Sequence, residues 1–222
     1  LNSVILVELN GSFQAQHGLA LQARSTVRGL AIYKIFGPAI FVQGGADGSV
    51  IEGNFLGTDA LATVKGQFSG VDIRATGNRI GGTTPAARNL IAADVYGIVL
   101  NEPQATGNLI QGNMIGTADG VTPLGSGTGI TIQDARDNTI GGTIPEASNT
   151  ISRTFAGVEV AGSASGNAIL GNSIFGNVGL GIDLELIDVT PNDSGDPDAG
   201  ANNLQNFPEI SVAKSSGSEL TI

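Results

Sequence analysis

The sequence predicts an all-β solenoid of about seven coils, with three short parallel strands in each coil. Three recurrences predict it. Asn78, Asn108, Asn138 and Asn167 stand 30, 30 and 29 residues apart, with Ser49 and Ser25 continuing the register upstream. Two residues after each comes an aliphatic: Val27, Ile51, Ile80, Ile110, Ile140 and Ile169. A second series, Asn54, Asn89, Asn113, Asn149 and Asn172, is followed in the same way by Leu56, Ile91, Ile115, Ile151 and Ile174. The third recurrence is Gly-aliphatic-x-aliphatic. Recurrence at this length marks a repeat array rather than one globular core.

The elements follow in chain order. Leu1 to Leu9 is already strand-like. Gly18-Leu19-Ala20-Leu21 is the first Gly-aliphatic-x-aliphatic strand, and Ile40-Phe41-Val42 fits the register without its glycine. Gly70-Val71-Asp72-Ile73, Gly97-Ile98-Val99-Leu100, Gly129-Ile130-Thr131-Ile132, Gly157-Val158-Glu159-Val160 and Gly181-Ile182-Asp183-Leu184 repeat it. Alternation at period two reads as a strand with one buried face. Each asparagine series contributes one further strand per coil, with a single inward aliphatic. One coil cannot bury its apolar side alone, whereas stacked coils bury a continuous column. The chain's 34 glycines suit a fold with many corners. No long segment shows helical apolar spacing.

Loop insertions alternate. Asn78 to Asn89 and Asn138 to Asn149 run through Gly-Gly-Thr-x-Pro-x-Ala, whereas Asn108 to Asn113 is short. The intervening coils are lengthened after Gly57-Thr58-Asp59 and Gly116-Thr117-Ala118-Asp119 instead. The larger unit is therefore a double coil, marked by Asn54, Asn113 and Asn172, and its bulges are expected on two different edges.

The motifs Val50-Ile51-Glu52-Gly53-Asn54-Phe55-Leu56-Gly57-Thr58-Asp59 and Asn138-Thr139-Ile140-Gly141-Gly142-Thr143-Ile144-Pro145 carry a resemblance. They resemble the right-handed parallel β-helix repeats of the pectate-lyase-like superfold, in the form found in large secreted or surface-anchored bacterial proteins. The likeness covers about residues 12 to 206 and implies a right-handed, single-stranded parallel β-helix. That fold hosts lyases, hydrolases, epimerases and inert stalks, so it does not name an activity. Residues 1–206 are thus expected to form the β-helix. Residues 207–222 are expected to form a terminal β-hairpin, the candidate start of a following domain in a larger extracellular polypeptide.

Composition narrows the function. A net charge of −10 disfavours nucleic acid, which needs clustered Lys and Arg. Aromatics make up 5% of the chain and Trp is absent, which counts against a sugar cleft built on stacking rings. With no cysteine there are no disulfides or thiolate metal sites. No apolar run approaches the roughly 20 residues that span a bilayer, so this segment is not expected to insert into a membrane.

The outward row of the Gly-aliphatic-x-aliphatic sheet reads Ala20, Phe41, Asp72, Val99, Thr131, Glu159, Asp183, and the next outward row ends in Glu185. Glu159, Asp183 and Glu185 are the candidate catalytic carboxylates. Strands in register hold neighbouring residues about 5 Å apart, close to the carboxyl separation of retaining glycosidases. No Lys or Arg flanks them, and the competing reading is a solvated acidic face or a Ca²⁺ site. Asp72 and Arg74 read as a surface ion pair. His17, the single histidine, reads as an incidental turn residue. Active relatives of the fold carry His or clustered Asp on this face, and no such cluster can be placed here. Asp188, Asp193, Asp196 and Asp198 form an acid-rich loop that is the candidate Ca²⁺ site, since Ca²⁺ takes six to eight oxygens from flexible loops. The alternative is a polar loop through which the chain leaves the solenoid. The expected function is a non-catalytic spacer or adhesive module, secreted or at the bacterial cell surface, with a polysaccharide or cell-surface polymer as partner. The alternative is a polysaccharide lyase or glycoside hydrolase.

Overall fold

The computed structural model describes residues 5, 7–125, 127–185, 189–209, 211–212, 214–216 and 219–221. The first coil is β1 (Val7–Asn10), β2 (Leu19–Leu21) and β3 (Thr26–Arg28), and the second is β4 (Leu30–Tyr33), β5 (Pro38–Val42) and β6 (Val50–Glu52). Then come β7 (Phe55–Leu56), β8 (Ser69–Ile73) and β9 (Arg79–Gly81), followed by β10 (Leu90–Ile91), β11 (Tyr96–Asn101) and β12 (Leu109–Gln111). The fifth coil is β13 (Met114–Ile115), β14 (Thr128–Gln133) and β15 (Thr139–Gly141), and the sixth is β16 (Thr150–Ser152), β17 (Val158–Ala161) and β18 (Ala168–Leu170). After β19 (Ser173–Phe175) and β20 (Ile182–Leu184) the pattern stops. Far along the chain, β21 (Lys214–Ser216) and β22 (Glu219–Thr221) pair antiparallel.

Every third strand joins the same sheet, so three parallel sheets form: A from β1 to β19, B from β2 to β20 and C from β3 to β18. Among the described residues, sheets A and B have seven strands and sheet C has six. The count of about seven coils is thus refined to six complete coils and a two-strand seventh. After Leu184 the chain enters a Gly-, Asp- and Pro-rich stretch in place of another inward aliphatic.

The sequence columns are the core. Val27, Ile51, Ile80, Ile110, Ile140 and Ile169 lie in register along sheet C. Leu9, Ile32, Leu56, Ile91, Ile115, Ile151 and Ile174 do so along sheet A. Sheet B adds two inward rows, including Ile40, Val71, Ile98, Ile130, Val158 and Ile182. From Ile51 to Ile140 the sheet C column is fully buried. Shared register lets like side chains pack at close to crystal density.

The asparagines turn the corners between strands of these sheets. Asn78 donates from both its backbone N–H and its Nδ2 to Asn108 Oδ1, at 2.8 and 2.9 Å. Asn108 repeats this toward Asn138, and Asn138 toward Asn167. The second amide N–H of Asn138 reaches back to the Ala105 carbonyl at 2.8 Å. The other series behaves identically from Asn54 to Asn172, with Asn113 Nδ2 also reaching back to the Ile80 carbonyl at 2.9 Å. An amide side chain offers two donors and two acceptor lone pairs, and an interior rung can use all four. That is why buried polar side chains stand in this core without an uncompensated desolvation cost.

Sheet A is flanked on both sides by insertions. The long turns after β7 and β13 close with antiparallel bridges, Thr58 to Val64 and Thr117 to Pro123. Those after β9 and β15 each hold a 3₁₀ turn, Pro85–Ala87 and Pro145–Ala147. The expected alternation of bulges on two edges is what the chain does. The turns of the first kind fold over the outer face of sheet A. There Ala31, Phe55, Leu90, Ala92 and Leu124 form a second, smaller apolar cluster, with Met114, Ala62 and Ala118 packed against it.

Candidate functional site

Sheet B carries the candidate carboxylates, and its outward face has charged side chains in both rows. Its first outward row, Ala20, Phe41, Asp72, Val99, Thr131, Glu159 and Asp183, is in register from strand to strand. Its charged side chains fall into two groups, one around β8 and β11 and one on β17 and β20.

Toward the C-terminal end, Glu159 and Asp183 are direct neighbours on β17 and β20. Burial pushes the Glu159 carboxyl above its ordinary value, and the negative charge of Asp183 adds to this. Hydrogen bonds to the Thr128 and Thr131 hydroxyls act in the opposite sense. Glu185 does not join them. It sits at φ 72 just past β20, and its Oε1 accepts the Ala201 N–H at 2.6 Å, which ties the chain's return segment to the end of sheet B. The sequence therefore grouped three carboxylates of which two are adjacent and the third is a clamp.

Around β8 the structure adds Glu102, Phe41 and His17 to the Asp72–Arg74 pair that the sequence suggested. Arg74 Nη1 meets Glu102 at 2.7 Å, and Nε meets Asp72 at 3.4 Å. The Arg74 guanidinium also lies 5.1 Å from the centre of the Phe41 ring, and the His17 ring sits 4.9 Å from Phe41 in a tilted arrangement. His17 is thus part of a packed row rather than an isolated turn residue. Asp72 is not a plain surface partner either. Burial raises its carboxyl above the ordinary value even though Arg74 pulls the other way. Two carboxylates and a ring thus surround Arg74.

The acid-rich loop is held by amides. Asn206 Nδ2 donates to the Asp193 carbonyl at 2.8 Å and its Oδ1 accepts the Asp193 N–H at 3.0 Å. Asn192 makes the same reciprocal pair with Phe207, at 2.8 and 2.9 Å. Asp196 Oδ1 accepts the Asn206 N–H at 3.1 Å. Asp188 lies outside the described residues. Among the described residues no three His, Asp or Glu side chains gather where they could hold a metal ion.

Two features escaped the sequence reading. The third corner, before sheet B, has its own buried polar groups. Gln67 Oε1 accepts the Ile35 N–H and its Nε2 donates to the Gly37 and Ser69 carbonyls. At the equivalent corner Thr154 bonds Asn177. The residue type changes at each rung, so no repeated letter marked the corner. The outer cluster on sheet A did leave a signal, the apolar residue between Asn and the inward aliphatic in Asn54-Phe55-Leu56, Asn89-Leu90-Ile91 and Asn113-Met114-Ile115.

No protein-family model, curated protein or solved structure matches the chain. No described helix is long and apolar enough to cross a membrane.

Proposed function

We propose that this chain is a spacer or adhesive module of an extracellular bacterial surface protein, with no catalytic role, and that its partner class is a polysaccharide or cell-surface polymer. One observation carries the reading. The two asparagine ladders and the aliphatic columns continue from coil to coil without interruption, and the variation lies in corner loops at the edges of sheet A. A stack of this kind resists bending and transmits position. The outward row of sheet B is chemically mixed along its length, which suits a solvated wall better than a lined groove. The resemblance of the repeats to those of surface-anchored bacterial proteins supports the setting.

A second reading has one specific observation in its favour. Glu159 and Asp183 are side by side, and burial raises the Glu159 carboxyl. An acid kept protonated next to an ionised partner is how glycosidases divide the roles of proton donor and nucleophile. One experiment separates the two. The purified chain is incubated with a panel of neutral and acidic polysaccharides, with and without Ca²⁺. Reducing ends and unsaturated products are measured, and co-sedimentation with the insoluble polymers is scored. The spacer reading expects no turnover. Turnover abolished by Glu159→Gln or Asp183→Asn would replace it with the hydrolase.

A further inference from the structure

Sheet C is one strand short, and a cavity of about 780 Å³ lies at that end of the solenoid. Its wall includes the whole of β18, Ala168 to Leu170, together with Ile182 and Leu184 of sheet B and Phe207 of the exit segment. The inward column of sheet C ends at Ile169, which is only partly buried.

The segment that passes over this cavity has the sequence of the missing strand. In every rung of the first ladder the inward aliphatic follows its asparagine by two residues, as in Asn138 to Ile140 and Asn167 to Ile169. Asn202-Asn203-Leu204 repeats the pattern, and Asn202 already occupies the next rung. Asn167 donates to Asn202 Oδ1 from its backbone N–H at 3.0 Å and from Nδ2 at 3.4 Å. The backbone then departs from the rule. Asn202, Asn203 and Leu204 have φ of 50, 59 and 49, three consecutive non-glycine residues in the left-handed region. Side chains adopt that region at a cost and keep it where the surroundings impose it.

Two carbonyls show how small the difference from a strand is. In the regular ladder, Asn167 Nδ2 reaches back to Ala135 O, and the Ala168 N–H, one residue after the rung, bonds Asn138 O. The equivalent acceptors one coil later are Ala164 O and Asn167 O. Both are satisfied, but by exchanged groups. The Asn202 backbone N–H bonds Ala164 O at 2.7 Å, and Asn202 Nδ2 bonds Asn167 O at 2.7 Å. Rotating the backbone at 202–204 into the extended region returns each bond to its regular donor and loses neither acceptor.

We propose that Asn202–Gln205 is a closing strand. It alternates between the present left-handed turn and a seventh strand of sheet C, parallel to β18, in which Leu204 stacks on Ile169 and fills the cavity. The offset of 35 residues between Asn167 and Asn202 sets the register, Asn203 beside Ala168 and Gln205 beside Leu170. The reciprocal amide pairs of Asn192 and Asp193 with Phe207 and Asn206 hold the turn form. This inference concerns the end of the rod and stands independently of what the rod carries.

The chain has no cysteine, so a cross-link reads the register directly. Ala168→Cys with Asn203→Cys puts two thiols on the outer face, side by side in the strand form. Ala168→Cys with Gln205→Cys is the mis-registered control. Under mild oxidation the first pair is expected to close several-fold faster than the control, and adding Asn206→Ala, which releases the clasp, is expected to speed it further. Equal rates for the two pairs, or no acceleration by Asn206→Ala, would overturn the proposal. Hydrogen exchange is the second readout. The Gln205 amide is bonded only in the strand form, so its exchange is expected to slow when Asn206→Ala releases the clasp. An unchanged rate in Asn206→Ala would also overturn it.

Discussion

The asparagine at each corner is the residue on which the stack depends, because it answers for backbone groups of its neighbours as well as for its own amide. Asn108→Ala removes the acceptor of two donors on Asn78 and the donor to Asn138. Unsatisfied buried groups cost about 1–3 kcal/mol, and a loss in that range is expected in chemical denaturation. A change near zero would mean the amides are not needed there. Glu159 makes a prediction of the opposite sense. Its carboxyl is raised above the ordinary 4.5 in the folded state, so between that value and its folded value the native chain holds more proton than the unfolded chain. Its contribution is therefore fully present below pH 4.5 and is lost as pH rises through the folded value. Glu159→Gln is expected to flatten the fall in melting temperature across this window and to leave the neutral-pH protein at least as stable. A steeper fall in the variant would contradict the burial argument. Roles at this scale were legible where one residue type recurs. They were hidden where partners differ in type and lie a full coil apart, as with Arg74 and Glu102, 28 residues away.

At the scale of the strand, the glycine that opens each sheet B repeat has a steric reason. A side chain on Gly129 would run into the Gly157 carbonyl and the Ile151 Cγ2 of the next coil. Gly129→Ala is expected to cost about 1–3 kcal/mol through overpacking, read as a shift in the denaturation midpoint. Ile110→Asp is far more severe, since it places a charge between Ile80 and Ile140 with no partner. Loss of the sheet signal in circular dichroism is expected for it. The loops depend on aspartates. Asp119 takes the Val121 and Thr122 N–H groups, which hold its carboxyl well below the ordinary 3.8. Asp59 does the same for Leu61 and Thr63. The spacing of the repeats foretold where these loops insert. It did not foretell that they fold back over Phe55 and Leu90, because the residue between Asn and its aliphatic was given no role.

At the scale of the molecule, each coil touches chiefly the coil before and the coil after, so stability accumulates from neighbour to neighbour. The rungs of the second ladder lie alternately 35, 24, 36 and 23 residues apart, which makes the pair of coils the true repeat. Deleting Asn54 to Gly112 removes one such pair and leaves Gly53 joined to Asn113, the Gly-Asn junction that Gly112 already makes. The shortened chain is expected to unfold cooperatively with a smaller denaturant slope, in proportion to the surface it buries. A broad, multi-step transition would show that the double coil is not the unit. The number of coils was nearly legible from the ladders, since the first series ends at Asn167 and Ile169 while the Gly-aliphatic-x-aliphatic series runs on to Leu184. The ladders also have a direction. Each rung gives its hydrogens to the oxygen of the rung that follows, so a coil newly made at the C-terminal side of the growing chain arrives as acceptor to donors already waiting.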